Sequence, residues 1–236
     1  MADEIEALRR EVCDLHAELP RHGLVAWTSG NLCARVPGEE LMVIKASGIP
    51  YDELTPAAMV VCDLHGTLVD GDLAPSSDAA AHGYVYRELD EIEAGTRLGG
   101  PPGLPRHPVG GIVHTHSGYA TAWAARGEAI PCVLTAMADE FGGEIPIAPF
   151  ARIGDDEIGR AVVETLASHR SSAVLLRSHG VFALGPNARA AVKSAVMCED
   201  VARTVHLARA LGEPIPLAPE DIDALHHRYQ NVYGQR

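Results

Sequence analysis

The sequence predicts an α/β fold in which an antiparallel or mixed sheet is covered by helices. Three observations predict it. Short apolar runs bounded by turn residues recur along the chain, as strands do. Stretches with helical apolar spacing lie between and after them. Several strand-to-strand connections are too short for a crossover helix, which favours antiparallel pairing.

The elements follow in order. Ile5, Leu8, Val12, Leu15 and Leu19 keep a 3-4-3-4 spacing, the stripe of an amphipathic helix, and Pro20 is expected to end it. LCARV (32–36), LMVIK (41–45) and MVVCDL (59–64) read as strands, as do GGIVHTH (110–116), EIPIA (144–148), AVLLRS (173–178) and VFAL (181–184). Helical patterns cover roughly 78–92, 117–126, 155–169, 187–211 and 219–230, with Asp155 or Asp156 placed to cap the third. AGTRLGGPPGLPRHP (94–108) holds four glycines and four prolines, a mixture neither helix nor strand tolerates, so a surface loop is expected.

At 236 residues the chain is long enough for one substantial core, and a single domain over 1–236 is expected. A net charge of −13 argues against a nucleic-acid or anionic-membrane partner, both of which need an electropositive face. It leaves room for one phosphate held by backbone N–H groups and a lysine. The charged N-terminus, MADEIEALRREV, lacks the apolar core of a signal peptide, so a cytoplasmic protein is expected. Five scattered cysteines without a C-x-x-C suggest reduced thiols and no disulfide.

His114 and His116 stand two apart at a strand end, where side chains i and i+2 share a face. His179 closes another apolar strand, followed by Gly180, which would allow a sharp turn. Three histidines with an open fourth position suit a catalytic zinc centre, but with twelve histidines in the chain, spacing alone leaves a structural reading open. Ser29-Gly30-Asn31, Ser47-Gly48 and Ser76-Ser77 can cradle a phosphate or can simply be turns. Lys45 is a reasonable point-charge partner for that phosphate.

GLVAWTSGNLCARV, VIKASG, the SSD at 76–78, IVHTHSGYATAWA and LLRSHGVFALG fall in the order and spacing of one family. From about residue 5 to the C-terminus the chain resembles the class II aldolase and adducin family of sugar-phosphate enzymes, and most of all its L-ribulose-5-phosphate 4-epimerase branch. The resemblance implies a single three-layer α/β/α domain around a mainly antiparallel sheet, assembled as a homotetramer with interfacial active sites. It implies one Zn²⁺ per subunit on His114, His116 and His179, and a substrate phosphate near Gly30, Asn31, Lys45, Ser47, Gly48, Ser76 and Ser77.

Asp78 aligns with the acidic residue kept beside the metal, which is usually Asp in the epimerase branch and Glu in the fuculose-phosphate aldolase branch; it also suits an N-cap. Asp139 and Tyr233 match the residues that transfer protons on opposite faces of the cleaved intermediate, Tyr233 from a neighbouring subunit. The implied activity is zinc-dependent 4-epimerisation of a phosphorylated ketose by retro-aldol cleavage and re-addition. Its alternatives are a class II aldolase, a related sugar-acid decarboxylase, and a non-catalytic module like the adducin head. The chain departs from the epimerase branch at 135–143, where a histidine and two aromatics are missing, and EIPIAPFARIGDDEIG looks more like the aldolase branch. His226 or His227 stands where an epimerase histidine precedes the terminal tyrosine.

Overall fold

Among the described residues, 2–93 and 109–232, the computed structural model has eight strands in one sheet. The 94–108 stretch and Tyr233 lie outside them. In chain order the elements are α1 (Ala2–His16), α2 (Glu18–Arg21), β1 (Asn31–Arg35), β2 (Leu41–Lys45), β3 (Met59–Asp63), β4 (Leu68–Asp70) and α3 (Ala79–Glu93). Then come β5 (Gly111–Thr115), α4 (Gly118–Arg126), α5 (Thr135–Phe141), β6 (Ile147–Ala148), α6 (Glu157–Leu166), β7 (Ala173–Leu176), β8 (Gly180–Gly185), α7 (Ala188–Leu211) and α8 (Pro219–Asn231). The strand order is β4-β3-β2-β1-β5-β8-β7-β6, antiparallel throughout except for the β6–β7 pair.

Central strands buried on both faces read as continuous apolar runs, and their alternate residues feed two cores. Leu32, Ala34, Val43, Val61, Val113, Leu175 and Val181 pack with α1, α4, α5 and α7. Cys33, Met42, Ile44, Val60, Ile112, Val174 and Phe182 pack with α3 and α6 on the other side. The result is the expected three-layer α/β/α arrangement. β5, at the centre, is buried at every position.

Two local expectations are corrected, and two short elements, β4 and α5, were not anticipated. The N-terminal helix stops at His16, and Pro20 sits inside the separate short turn of helix α2 rather than ending α1. Strand β4 escaped notice because it is three residues long and exposed throughout, with no apolar alternation to read. Helix α5 is only seven residues long, shorter than the window over which helical periodicity can be read, and ends on the left-handed Gly142. Of 144–148 only Ile147 and Ala148 form a strand, while Ile145 makes an isolated antiparallel bridge with Ile130. At α6, Asp156 holds the cap position while the Asp155 carboxylate accepts the Glu157 N–H at 2.9 Å.

A buried histidine fastens α1 to the sheet. His16 Nδ1 donates to Val12 O at 2.7 Å, so Nε2 is left to accept the Leu32 N–H at 3.1 Å. Leu32 pairs with β5, and the register with β2 begins only at Cys33; the imidazole takes the donor that β2 does not reach. Burial pushes the His16 pKa down to about 4, and burial does the same to His82 on α3. Both are therefore neutral in the fold but titrate near 6.5 when unfolded. Between about pH 6.5 and 4 the unfolded chain binds more protons, so stability falls as pH falls and is level above that window.

Denaturant unfolding of the metal-free protein is expected to lose stability from pH 7 to pH 4.5. A level midpoint across that range would contradict the buried neutral imidazoles. His16→Leu is expected to cost about 1–3 kcal/mol at pH 7, by orphaning the Leu32 N–H, and to remove part of the pH slope.

Candidate functional site

β5 ends with His114 inside the sheet and His116 one residue beyond it. In the antiparallel register with β8, His114 faces Phe182 and Thr115 faces Val181. The β7–β8 turn, Arg177-Ser178-His179, therefore stands beside His116. Ser178 holds a left-handed φ of 62°, the His179 N–H returns to Leu176 O at 3.0 Å, and the Ser178 N–H is tied to Ala124 O of α4 at 3.0 Å. The sharp turn is thus made at Ser178, not Gly180. Gly180 serves close approach instead: a Cβ there would lie 2.3 Å from Thr115 O and 3.0–3.2 Å from the rings of His116 and His114.

The three imidazoles converge. Their ligand atoms all lie within 4.8 Å of one another, and the ring centroids are 4.7–5.1 Å apart. His114 Nδ1 donates to Val181 O at 2.9 Å, which turns the lone pair of Nε2 toward His116 Nε2, 3.0 Å away. This hydrogen bond is the outer support that metal-ligating histidines use to fix tautomer and ring direction. Burial drives the His114 pKa down to about 3 despite the nearby Asp78 carboxylate, and burial lowers His116 and His179 too. Three neutral imidazoles facing one point fit a divalent cation of zinc's softness.

Asp78 immediately precedes α3 and its backbone oxygen accepts the His82 N–H at 2.9 Å, so it occupies the N-terminal turn. Its carboxylate Oδ2 accepts Asn31 Nδ2 at 2.6 Å. Burial alone would raise its pKa; His114, His82, the Asn31 amide and His179 outweigh burial, and the carboxyl is held below its ordinary value. Asn31 is the register partner of His114, and its amide also donates to Ser76 Oγ at 3.0 Å. Asn31 Oδ1 is buried without a partner among the described residues.

Several of the residues expected to cradle a phosphate lie together near Asn31. Ser76 N donates to Lys45 O at 3.1 Å, and Ser47 N to Ala74 O at 2.9 Å, bringing 45–48 alongside 74–76. Lys45 is buried, donates to Ala46 O at 3.3 Å and lies 5.5 Å from the Tyr51 ring; burial lowers its pKa. Gly30 has φ +76°, and a Cβ there would meet His114 O at 2.8 Å, so only glycine lets the chain enter β1 so close to β5. Ser47, Gly48 and Ser77 are exposed.

Asp139 is not joined to this cluster. It lies on α5, its backbone oxygen accepts His226 Nδ1 of α8 at 3.2 Å, and its Oδ1 is buried without a partner among the described residues. His227 lies on α8 as well. Two supports were not legible in the sequence. Glu199 of α7 accepts the N–H groups of Tyr119 and Ala120 at 2.8 Å each, clamping the start of α4 three residues after His116 from 80 residues along the chain. His82 Nδ1 meets Cys33 Sγ at 2.9 Å, and its ring packs on Phe182, which in turn packs on His114. Neither residue carries a local motif.

The family described as "Class II Aldolase and Adducin N-terminal domain" matches residues 10–206. Solved structures are similar over nearly the whole chain. An L-fuculose 1-phosphate aldolase is 27% identical, with 95% of this chain and 96% of that chain covered and a TM-score of 0.77. YgbL from Klebsiella pneumoniae, described as a candidate aldolase/epimerase/decarboxylase, is 27% identical over 94% of this chain and 98% of its own, with a TM-score of 0.74. The L-fuculose-1-phosphate aldolase of Thermus thermophilus shares the fold at 24% identity, covering 86% of this chain and 96% of its own, with a TM-score of 0.66. With the fold, the match over most of the chain and a three-histidine site able to hold a metal, this chain belongs to the class II aldolase and adducin family.

Proposed function

We propose that the chain is a zinc-dependent sugar-phosphate enzyme that breaks a carbon–carbon bond beside a ketose carbonyl by a retro-aldol step. One observation carries the reading: three neutral imidazoles converge next to an ionised, buried carboxylate, with a buried lysine and a serine–asparagine cradle alongside. His114, His116 and His179 would hold the ion, which when bound supplies Lewis acidity to the substrate oxygens. Asp78, charged at neutral pH and oriented through Asn31, takes the proton from the substrate hydroxyl as the bond breaks. Lys45 is a buried cation whose charge an anionic phosphate compensates, with the 45–48 and 74–77 backbone around it.

Two outcomes of cleavage have support. Release of the fragments makes the protein an aldolase, favoured by the likeness to an L-fuculose 1-phosphate aldolase along 95% of the chain. Re-addition makes it an L-ribulose-5-phosphate 4-epimerase-like enzyme, favoured by Asp rather than Glu at 78 and by Asp139 and Tyr233. In that reading a homotetramer of cytoplasmic location brings Tyr233 across an interface.

Zinc-loaded protein should be given L-fuculose 1-phosphate and L-ribulose 5-phosphate separately, with products followed by NMR. D-xylulose 5-phosphate establishes the epimerase, and dihydroxyacetone phosphate with an aldehyde establishes the aldolase. No turnover of a wider panel of ketose phosphates would sink both.

Zinc content by mass spectrometry is expected at one per chain, lost in His114→Ala and His179→Ala. Asp78→Asn should keep the zinc but lose about 10²–10⁴-fold in kcat. A wild-type chain that takes up no zinc would favour the non-catalytic module instead. If the epimerase reading holds, Asp139→Asn and Tyr233→Phe should lose re-addition more than cleavage; equal loss of both would count against it.

A further inference from the structure

Two residues other than glycine hold a left-handed φ among the described residues: Ser178 at 62° and Trp27 at 56°. Ser178 is accounted for by the hairpin that presents His179. Trp27 is not. It lies in the tight turn Ala26–Ser29, closed by Ser29 N to Ala26 O at 3.0 Å and locked by Ser29 Oγ to Ala26 O at 2.6 Å and Ala26 N to Ser29 Oγ at 3.2 Å. Tyr51 Oη holds the same turn from outside, donating to Ser29 O at 3.0 Å. Trp27 is the first central residue and alone of the two central residues has positive φ, the sign pattern of a II′ turn, whose first central position favours glycine. A bulky aromatic side chain there is strained.

The ring gains nothing in return within the fold, because Trp27 is 83% exposed. The other tryptophan, Trp123, is buried and donates its N–H to Ala202 O at 3.2 Å. Position 27 thus breaks two local rules at once, a pattern that concentrates at functional sites. Its location agrees. The loop that carries it is pinned at one end by the His116 N–H to Leu24 O at 3.2 Å, and at the other Gly30 presses on the His114 carbonyl before Asn31 reaches Asp78. Both anchors of this short loop are therefore in the histidine site.

From this we infer that Trp27 is a substrate-contacting residue, an aromatic wall at the rim of the site on which the C–H face of the phosphorylated ketose packs. The inference rests on the proposed function and adds a determinant of substrate binding to it. A flat, rigid aromatic surface fits a sugar's carbon chain while the polar groups on the opposite side take its hydroxyls and phosphate. The contact is made equally to substrate and transition state, so it acts on KM rather than on kcat. The left-handed backbone matters because it fixes the direction in which the ring leaves the turn.

The test uses the zinc-loaded full chain and three proteins: wild type, Trp27→Gly and Trp27→Phe. Trp27→Gly is expected to raise Tm by about 2–4 °C through relief of the turn, and to raise KM about tenfold with kcat nearly unchanged. Trp27→Phe should recover most of the KM. In the wild type, acrylamide quenching of the exposed tryptophan should fall on addition of whichever of L-fuculose 1-phosphate or L-ribulose 5-phosphate is turned over. Wild-type turnover with an unchanged KM in Trp27→Gly overturns the role of Trp27 and leaves the proposed function standing. Quenching that responds to protein concentration and not to the sugar phosphate overturns it too, assigning the ring to a second copy of the chain. Absence of turnover of any ketose phosphate by the wild type overturns the proposed function and this inference with it.

Discussion

The antiparallel pairing of β5 with β8 is the constraint from which the site follows. It sets Thr115 opposite Val181 and His114 opposite Phe182, and so places the β7–β8 turn beside the end of β5. A slip of one residue would send His114 to the opposite face, into the apolar layer under α4 and α7. The register is held by burial on both faces of β5 and by Gly180, which admits Thr115 O where any side chain would collide. The same register supplies the Val181 carbonyl that fixes the His114 tautomer.

Around this pairing the electrostatics divide in two. For the histidines, desolvation dominates and keeps them neutral even beside a carboxylate; Asp78 is held below its ordinary value against burial, its carboxylate accepting the Asn31 amide. Neutral imidazole nitrogens and a charged carboxylate are the protonation states that the proposed metal-assisted proton abstraction would need at neutral pH. The carboxylate is placed by where α3 begins. Ser76 Oγ accepts the Asp78 N–H at 3.3 Å while also receiving Asn31, so the start of the helix and the end of β1 are fixed together.

Two tight turns beside the histidines carry left-handed residues other than glycine. The turn at 26–29 is well hydrogen-bonded yet carries a strained tryptophan, and the β7–β8 turn accepts a left-handed serine to aim His179. Support comes from distant elements: Glu199 of α7 clamps the start of α4, and His16 of α1 completes the hydrogen bonding of β1 next to Asn31. The rigidity of the site is therefore distributed over helices that contribute no residue to it.

Periodicity in the sequence was enough for the class of fold and most elements, because apolar alternation reports directly on which residues must leave water. Five dispersed motifs were enough to identify the family, as the match over residues 10–206 bears out. Short elements were illegible: β4 has no buried residue and α5 is shorter than the window over which helical periodicity can be read. What tertiary structure alone decided is proximity and protonation. That His179 turns beside His116 at Ser178, that Asn31 orients Asp78, and that Glu199 clamps α4 are consequences of pairings tens of residues apart. So is the packing of the Asp139 helix on α8. A sequence carries each residue's chemistry locally, but burial and distance, which set charge and reach, exist only once remote strands have closed on one another.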